Sequence, residues 1–271
     1  VQYRTIFLSD IHLGARACSV DRVMDFLRNN KADTYYLVGD IVDGFKLRKR
    51  WYWPKQHDQV VHFLLNKAKS GCKVILVPGN HDAVLRDYFG THFSGLEICQ
   101  DAEFSSQSGE RFWVTHGDQF DEQHTHNVLL SFVGNCGYSL INICNWIANR
   151  FRQSSGKPPS ALLRWCILRI DRAQAYVRSF EHALAQEAAD KGYDGVICGH
   201  IHYPNDRMID GTHYINTGDW IENCTSLVET VTGELQLLNR SNARASQTAN
   251  ANTITSDDQS SQCTQQSAEV A

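Results

Sequence analysis

The 271 residues are 42% hydrophobic and 21% charged, the balance of a globular chain long enough to bury a sizeable core without staples. A net charge of −4 gives no electrostatic footing for nucleic acid, so none is expected as a partner. Nine cysteines, an odd number with no Cys-x-x-Cys pair, argue against a disulfide framework or a cysteine-rich zinc site and for reduced thiols in a reducing compartment.

The chain opens directly on strand character, with no signal peptide expected before it. Short apolar runs at residues 5–9, 34–39, 73–78, 111–115 and 195–199 predict strands, most ending at a Gly, a Pro or a polar turn. Helices are predicted where Val20, Val23, Met24 and Leu27, then Val60, Val61, Leu64, Leu65 and Ala68, recur at helical spacing. This alternation predicts a layered α/β fold. Residues 213–216 and 226–238 read as later strands, the second pair turning at Thr232-Gly233, and a second sheet is expected.

Residues 125–190 break the rhythm. Residues 128–149 carry no charged side chain but hold too many Asn, Gly and Ser residues for a membrane span. A helical hairpin is expected there, then a long helix over residues 160–190. Together they read as an inserted helical lid. From residue 241 the composition turns to Ser, Thr, Gln, Asn and Ala, which predicts a disordered tail.

Five of the strand-like runs end in metal-ligand residue types. They end in Asp10-Ile11-His12, Asp40-Ile41-Val42-Asp43, Asn80-His81-Asp82, His116-Gly117-Asp118 and His200-Ile201-His202. Ligands gather beyond the carboxyl ends of strands in open α/β sheets. Carboxylate, imidazole and amide donors suit manganese, iron or zinc, and the absence of cysteine disfavours a structural zinc site. In an extended segment, Asp-x-His and His-x-His would each place two side chains on one side. Any one of these motifs alone is ordinarily a solvated turn. Five in order leave that reading little room.

This ordered set resembles the metallophosphoesterases of the calcineurin type, over residues 4–240. The resemblance implies a four-layer α/β/β/α sandwich over residues 1–240, with the helical lid inserted at about 125–190 and the tail at 241–271. It implies two divalent metal ions, expected to be manganese, with iron or zinc as alternatives. Asp10, His12, Asp40 and His202 would hold one ion. Asp40, Asn80, His116 and His200 would hold the other, with Asp40 bridging. His81 would steady the transition state or protonate the leaving group. Asp43 and Asp82 are expected to orient histidines, with Asp118 and Asp121 as weaker candidates.

The lid, the segment His116-Gly117-Asp118-Gln119-Phe120-Asp121 and the segment Asn216-Thr217-Gly218-Asp219-Trp220-Ile221-Glu222 are similar to those of the UDP-2,3-diacylglucosamine pyrophosphatases. That likeness implies manganese, a lid that holds acyl chains, and cleavage at the α-phosphate of a lipid-linked nucleotide to release UMP. It also implies a cytoplasmic enzyme with peripheral contact on the cytoplasmic face of the inner membrane, where Arg150, Arg152, Lys157 and Arg164 would meet phosphates or anionic lipid. The chain departs from that pattern at His81, where the pathway enzymes carry arginine. A histidine suits poorer leaving groups. The alternative is therefore a paralogue acting on another phosphomonoester or phosphodiester. A non-catalytic scaffold would be expected to lack ligands, and none is missing.

Overall fold

The computed structural model describes residues 1–93, 95–120 and 171–239, and Val1–Leu237 cluster as one compact unit. Strand β1 (Gln2–Leu8) buries Ile6, Phe7 and Leu8, consecutive residues covered on both faces as in a central strand. Helix α1 (Val20–Asn29) follows and buries Val23, Met24 and Leu27. β2 (Lys31–Val38) runs parallel to β1, with Phe7 beside Tyr36. A short helix α2 (Gly44–Lys49) begins at Asp43, whose carboxylate accepts the Lys46 amide at 3.0 Å. That bond satisfies a helix-end donor. Helix α3 (Lys55–Lys69) buries Val60, Leu64 and Ala68 at the expected spacing. β3 (Lys73–Val77) adds in parallel to β2, and a 3-10 turn over Ala83–Tyr88 leads to β4 (His92–Phe93) and β5 (Leu96–Ile98).

The second sheet begins with β6 (Ala102–Ser105) and β7 (Arg111–Val114). After helix α4 (Asp171–Asp190) come β8 (Gly195–Cys198), β9 (Asn205–Ile209) and β10 (Thr212–Asn216). β11 (Thr225–Thr230) and β12 (Leu235–Asn239) return to the first sheet. Its order is β12-β11-β1-β2-β3-β5-β4; the other is β6-β7-β8-β10-β9.

The two sheets pack face to face. Phe7, Tyr36, Val38 and Ile75 of one meet Phe104, Phe112, Val114 and Ile197 of the other. Phe7 stacks on Tyr36 at 4.8 Å and meets Phe104 edge-on at 5.0 Å; such pairs add about 0.5–1.5 kcal/mol each beyond burial. Helix α4 covers the outer face of the second sheet, where Phe180, Leu184 and Ala188 pack with Trp113, Val196 and Tyr214. Helices α1 and α3 lie together, with α3 against β3 in the first sheet. The α/β/β/α order is the one expected.

The predicted strands lie within a few residues of the observed ones, and the β11–β12 turn closes where Gly233 donates to Thr230 O at 3.0 Å. Four short strands and α2 were not foreseen. β9 exposes Asp206, Arg207 and Met208, so no alternating pattern marks it. The C-terminal part of the predicted insertion is α4, whose apolar face packs on the second sheet. Residues 121–170 and the tail from 240 lie outside the described residues.

Candidate metal centre

The site forms beyond the carboxyl ends of β1, β2, β3, β7 and β8. Two sheets therefore contribute to it. His116, after β7, crosses between them: its Nδ1 donates to Val38 O at 2.9 Å. That bond fixes the tautomer and leaves Nε2 with its lone pair turned inward. Gly39 and Gly79 give His116 its space, since a Cβ at either position would overlap the imidazole.

The turns carrying the predicted ligands are not extended, as the Asp-x-His and His-x-His reading assumed. Asp10, His12, Asp40, His200 and His202 all have left-handed backbones, with φ of 50°, 55°, 54°, 69° and 54°. Such conformations cost non-glycine residues about 1–3 kcal/mol each and persist only where surroundings hold them. Here Asp10 N donates to Gly39 O at 3.0 Å and His12 N to Asp40 O at 2.9 Å. The left-handed turns, and not strand alternation, bring Asp10 and His12 to one place.

His12 Nε2 lies 3.2 Å from His202 Nε2, 3.7 Å from Asp40 Oδ2 and 3.9 Å from Asp10 Oδ1. His202 Nε2 is 2.9 Å from Asp10 Oδ1, and His116 Nε2 is 3.5 Å from Asp40 Oδ2. The structure thus brings Asp10, His12, Asp40, His116 and His202 together in two groups, Asp10–His12–His202 and Asp10–Asp40–His116, whose donor atoms lie within 4.8 Å of one another and could hold a metal ion. His200 is half-buried beside them, its ring 5.2 Å from that of His116 and its amide donating to Asp10 Oδ2 at 3.1 Å. Asn80 stands exposed at the turn after the buried Gly79.

The donor set fits a divalent ion pair. Asp10 Oδ1 and His116 Nε2 are buried without a hydrogen-bond partner, and buried polar atoms in native proteins are seldom left so. The field favours positive charge. Burial alone would lower the His116 pKa, yet Asp40 and Asp10 outweigh it and push it up to about 10. Burial would likewise raise Asp40, but His116 and His12 hold it well below the usual carboxylate range.

Asp43 is fully buried and faces two histidines. It lies 3.5 Å from His12 Nδ1 and 3.0 Å from His81 Nδ1. Burial would raise its carboxyl, but these bonds prevail and hold it well below the usual range. Asp43 thus contacts the opposite ring edge of His12 from the one facing His202, which is the place of an orienting residue. His81 is driven down by burial but held above its ordinary value by Asp43 and Asp40.

Asp82 does not orient a histidine. Its carboxylate accepts the amides of Gly79 at 2.6 Å, Ile41 at 2.8 Å and Asp40 at 3.3 Å, clamping the turns after β2 and β3 together. Asp118 pairs with Arg86 at 2.7 Å; Asp121 lies outside the described residues. Two further braces carry no ligand chemistry in their sequence. Asn216 Nδ2 donates to Gly199 O at 2.7 Å, and Asn223 Nδ2 to His202 O at 2.9 Å. The Asn216–Glu222 stretch supports the site in another way too, through Trp220 N, which donates to Asp10 O at 3.1 Å.

The chain is similar to several known proteins. One curated relative is 28% identical over 153 residues, the DNA polymerase II small subunit of Methanothermobacter thermautotrophicus. The match takes in 45% of this chain, which spans about a third of the length of that relative. Among solved structures, a novel archaeal phosphodiesterase is 15% identical with a TM-score of 0.40, over 87% of this chain and 98% of that one. A phosphoesterase from E. coli is 16% identical with a TM-score of 0.42, over 86% and 97%. Vacuolar protein sorting 29 from Cryptosporidium parvum is 12% identical with a TM-score of 0.43, over 87% and 95%. The profile of the calcineurin-like phosphoesterases matches residues 3–204, which takes in every predicted ligand, and the chain belongs to that family of metal-dependent phosphoester hydrolases.

Proposed function

We propose that the chain hydrolyses the pyrophosphate of a lipid-linked nucleotide, with UDP-2,3-diacylglucosamine as the first substrate to test and UMP as the product to detect. The observation that carries the hydrolytic part is the convergence of buried, unpartnered donors Asp10 Oδ1 and His116 Nε2 beside the His12–His202 pair. Asp10, His12, Asp40 and His202 would hold one ion, and Asp40, Asn80, His116 and His200 the other. Bound there, a divalent pair, manganese by expectation, supplies Lewis acidity toward phosphoryl oxygens and makes water acidic enough to attack near neutral pH.

The protein's own groups do the rest. Asp43 holds His81 by Nδ1, with Nε2 turned toward the metal centre, 4.0 Å from Asp40 Oδ2. At Nε2, His81 can hold a proton for the departing oxygen. Asp82 keeps the Asp40 and Asn80 turns in register. A cavity of about 440 Å³ opens beside His116, lined by Arg86, Trp113, Phe120 and Lys191 among others. That volume is within the range of small-ligand sites. Its walls offer apolar surface, while Arg86 is paired with Asp118 and Lys191 with Glu187 in the same lining.

A second reading has its own observation. The Asp43–His81 pair supplies proton donation that a pyrophosphate scarcely needs, and this favours an ester with an alkoxide leaving group. Assay of the manganese-loaded protein separates the two. UMP released from UDP-2,3-diacylglucosamine supports the first. Cleavage of alkyl phosphodiesters or monoesters with no UMP supports the second. Inactivity on both, and on an aryl phosphate, would remove the hydrolytic reading.

A further inference from the structure

The geometry points to a second functional surface: the basic, aromatic segment 45–55, beside the mouth of the metal centre, docks on an anionic lipid bilayer. The inference does not rest on which phosphoester is cleaved.

The chain as a whole is acidic, at −4, yet residues 44–57 hold five cations and no acid. Lys46, Arg48, Lys49, Arg50 and Lys55 are all exposed. Lys46 pairs with Asp43 at 2.9 Å and Lys49 lies 4.2 Å over the Phe45 ring, whereas Arg48, Arg50 and Lys55 form no ion pair among the described residues. Large apolar groups are exposed in the same stretch: Phe45 is 57% and Trp51 74% accessible. A lone exposed hydrophobic residue is ordinary. Exposed aromatics interleaved with unpaired cations on one short segment are the composition of an interfacial membrane contact.

The segment is held rigidly. Leu47 packs against Gly14, so closely that a Cβ there would meet its side chain at 2.8 Å. Gly14 N donates to His57 Nδ1 at 2.8 Å, Arg16 lies over the Tyr52 ring at 5.3 Å, and Trp53 bonds Asp58. It also adjoins the catalytic region. The Phe45 ring is 6.3 Å from that of His81, and the turn that follows His81 exposes Val84 and Tyr88 at 59% and 54%.

Charge and apolarity together choose the partner. A nucleic acid could neutralise the cations and stack on Trp51, but it offers nothing to Val84. A bilayer surface offers phosphate headgroups to Lys and Arg and an interfacial zone to aromatic and aliphatic side chains alike. Docked through Phe45, the surface brings His81 close to the lipid, where a phosphoester with an acyl anchor is presented. No helix among the described residues is long and apolar enough to cross a membrane.

Flotation of the full chain with vesicles tests this. The protein should float with phosphatidylcholine vesicles containing phosphatidylglycerol and not with phosphatidylcholine alone. The double change Arg48→Glu and Arg50→Glu should lower partitioning by on the order of tenfold or more, since each cation near an anionic surface contributes measurably. Trp51→Ser should lower it without changing the charge. Both variants should keep the circular dichroism spectrum and the wild-type rate on a soluble aryl phosphate. Equal flotation of wild type and both variants would overturn the proposal. So would failure of the wild type to float, including the case where it binds a single-stranded oligonucleotide through the same arginines. Loss of aryl phosphate hydrolysis with flotation intact would count against the hydrolytic reading alone.

Discussion

The Nε2 atoms of His12 and His202 face each other across 3.2 Å, and both rings are buried. Asp10 Oδ1, fully buried, is 2.9 Å from the second of them. Two buried imidazoles and a carboxylate this close can share only the protons they hold, and a cation among them would offset the cost of burying them. Metal should therefore stabilise the fold as well as activate it. Manganese at about 100 times its dissociation constant should add about 2.7 kcal/mol to chelator-stripped protein, a rise of roughly 5–10 °C in Tm for a chain of this size. Asp40→Asn should abolish most of the shift, because Asp40 faces both His12 and His116. Calorimetry with metal analysis reads both, and a wild-type Tm indifferent to manganese would contradict the ligand assignment.

Gly79 is the tightest test of the second cluster. A Cβ at this position would overlap Asp40 Oδ1 and come within 2.6 Å of His116 Nε2. Gly79→Ala should push both groups aside. Overpacking of this kind costs about 1–3 kcal/mol, and misplacement by an ångström costs on the order of 100-fold in rate. The expected result is a folded protein with modestly lowered Tm, reduced metal content and a kcat lowered on that order. Unaltered kcat would mean that the Asp40–His116 spacing is not needed for the chemistry.

The five ligand-bearing turns were legible because their residue types stand at the ends of apolar runs, and runs of Val, Ile and Leu mark strands. The turn geometry was not legible. Asp10, His12, Asp40, His200 and His202 adopt left-handed backbones that their residue types do not demand, imposed by hydrogen bonds from distant segments. Asp82 shows the same limit. Its position after His81 marks it as useful, but besides the nearby Gly79 amide its partners are amides some 40 residues away. Helix α4 was foreseen as a helix, but its apolar face packs on the outer face of the second sheet. Periodicity shows that a helix has an apolar side and not what that side covers.

Cys198, at the end of β8, lies fully buried between Tyr214 and Asn216. Burial pushes its thiol up to about 12. A raised value leaves the thiol protonated from neutral pH to well above pH 9, and the thiolate is the reactive form. Ellman's reagent at pH 8 should leave Cys198 unmodified in the folded protein and modify it after unfolding in guanidinium. Peptide mapping by mass spectrometry checks this. Modification of Cys198 in the native state would mean that the strand end opens readily.

His81 and Asp43 decide between leaving groups. With Nδ1 held at 3.0 Å by Asp43, the ring presents Nε2 in a fixed orientation, and proton donation from there matters in proportion to the basicity of the departing oxygen. General acid catalysis contributes about 10²–10⁴-fold where the leaving group needs it. His81→Ala should therefore depress hydrolysis of an alkyl ester by that order while leaving an aryl ester much less affected. Metal content should be unchanged, since His81 is not among the proposed ligands. Asp43→Asn should act in the same direction through the orientation of His81, with an added loss in metal affinity because Asp43 also faces His12 Nδ1. The readout is the slope of log kcat against leaving-group pKa. A slope identical in wild type and His81→Ala would show that no proton passes through His81, and the site would then act by its metal ligands alone.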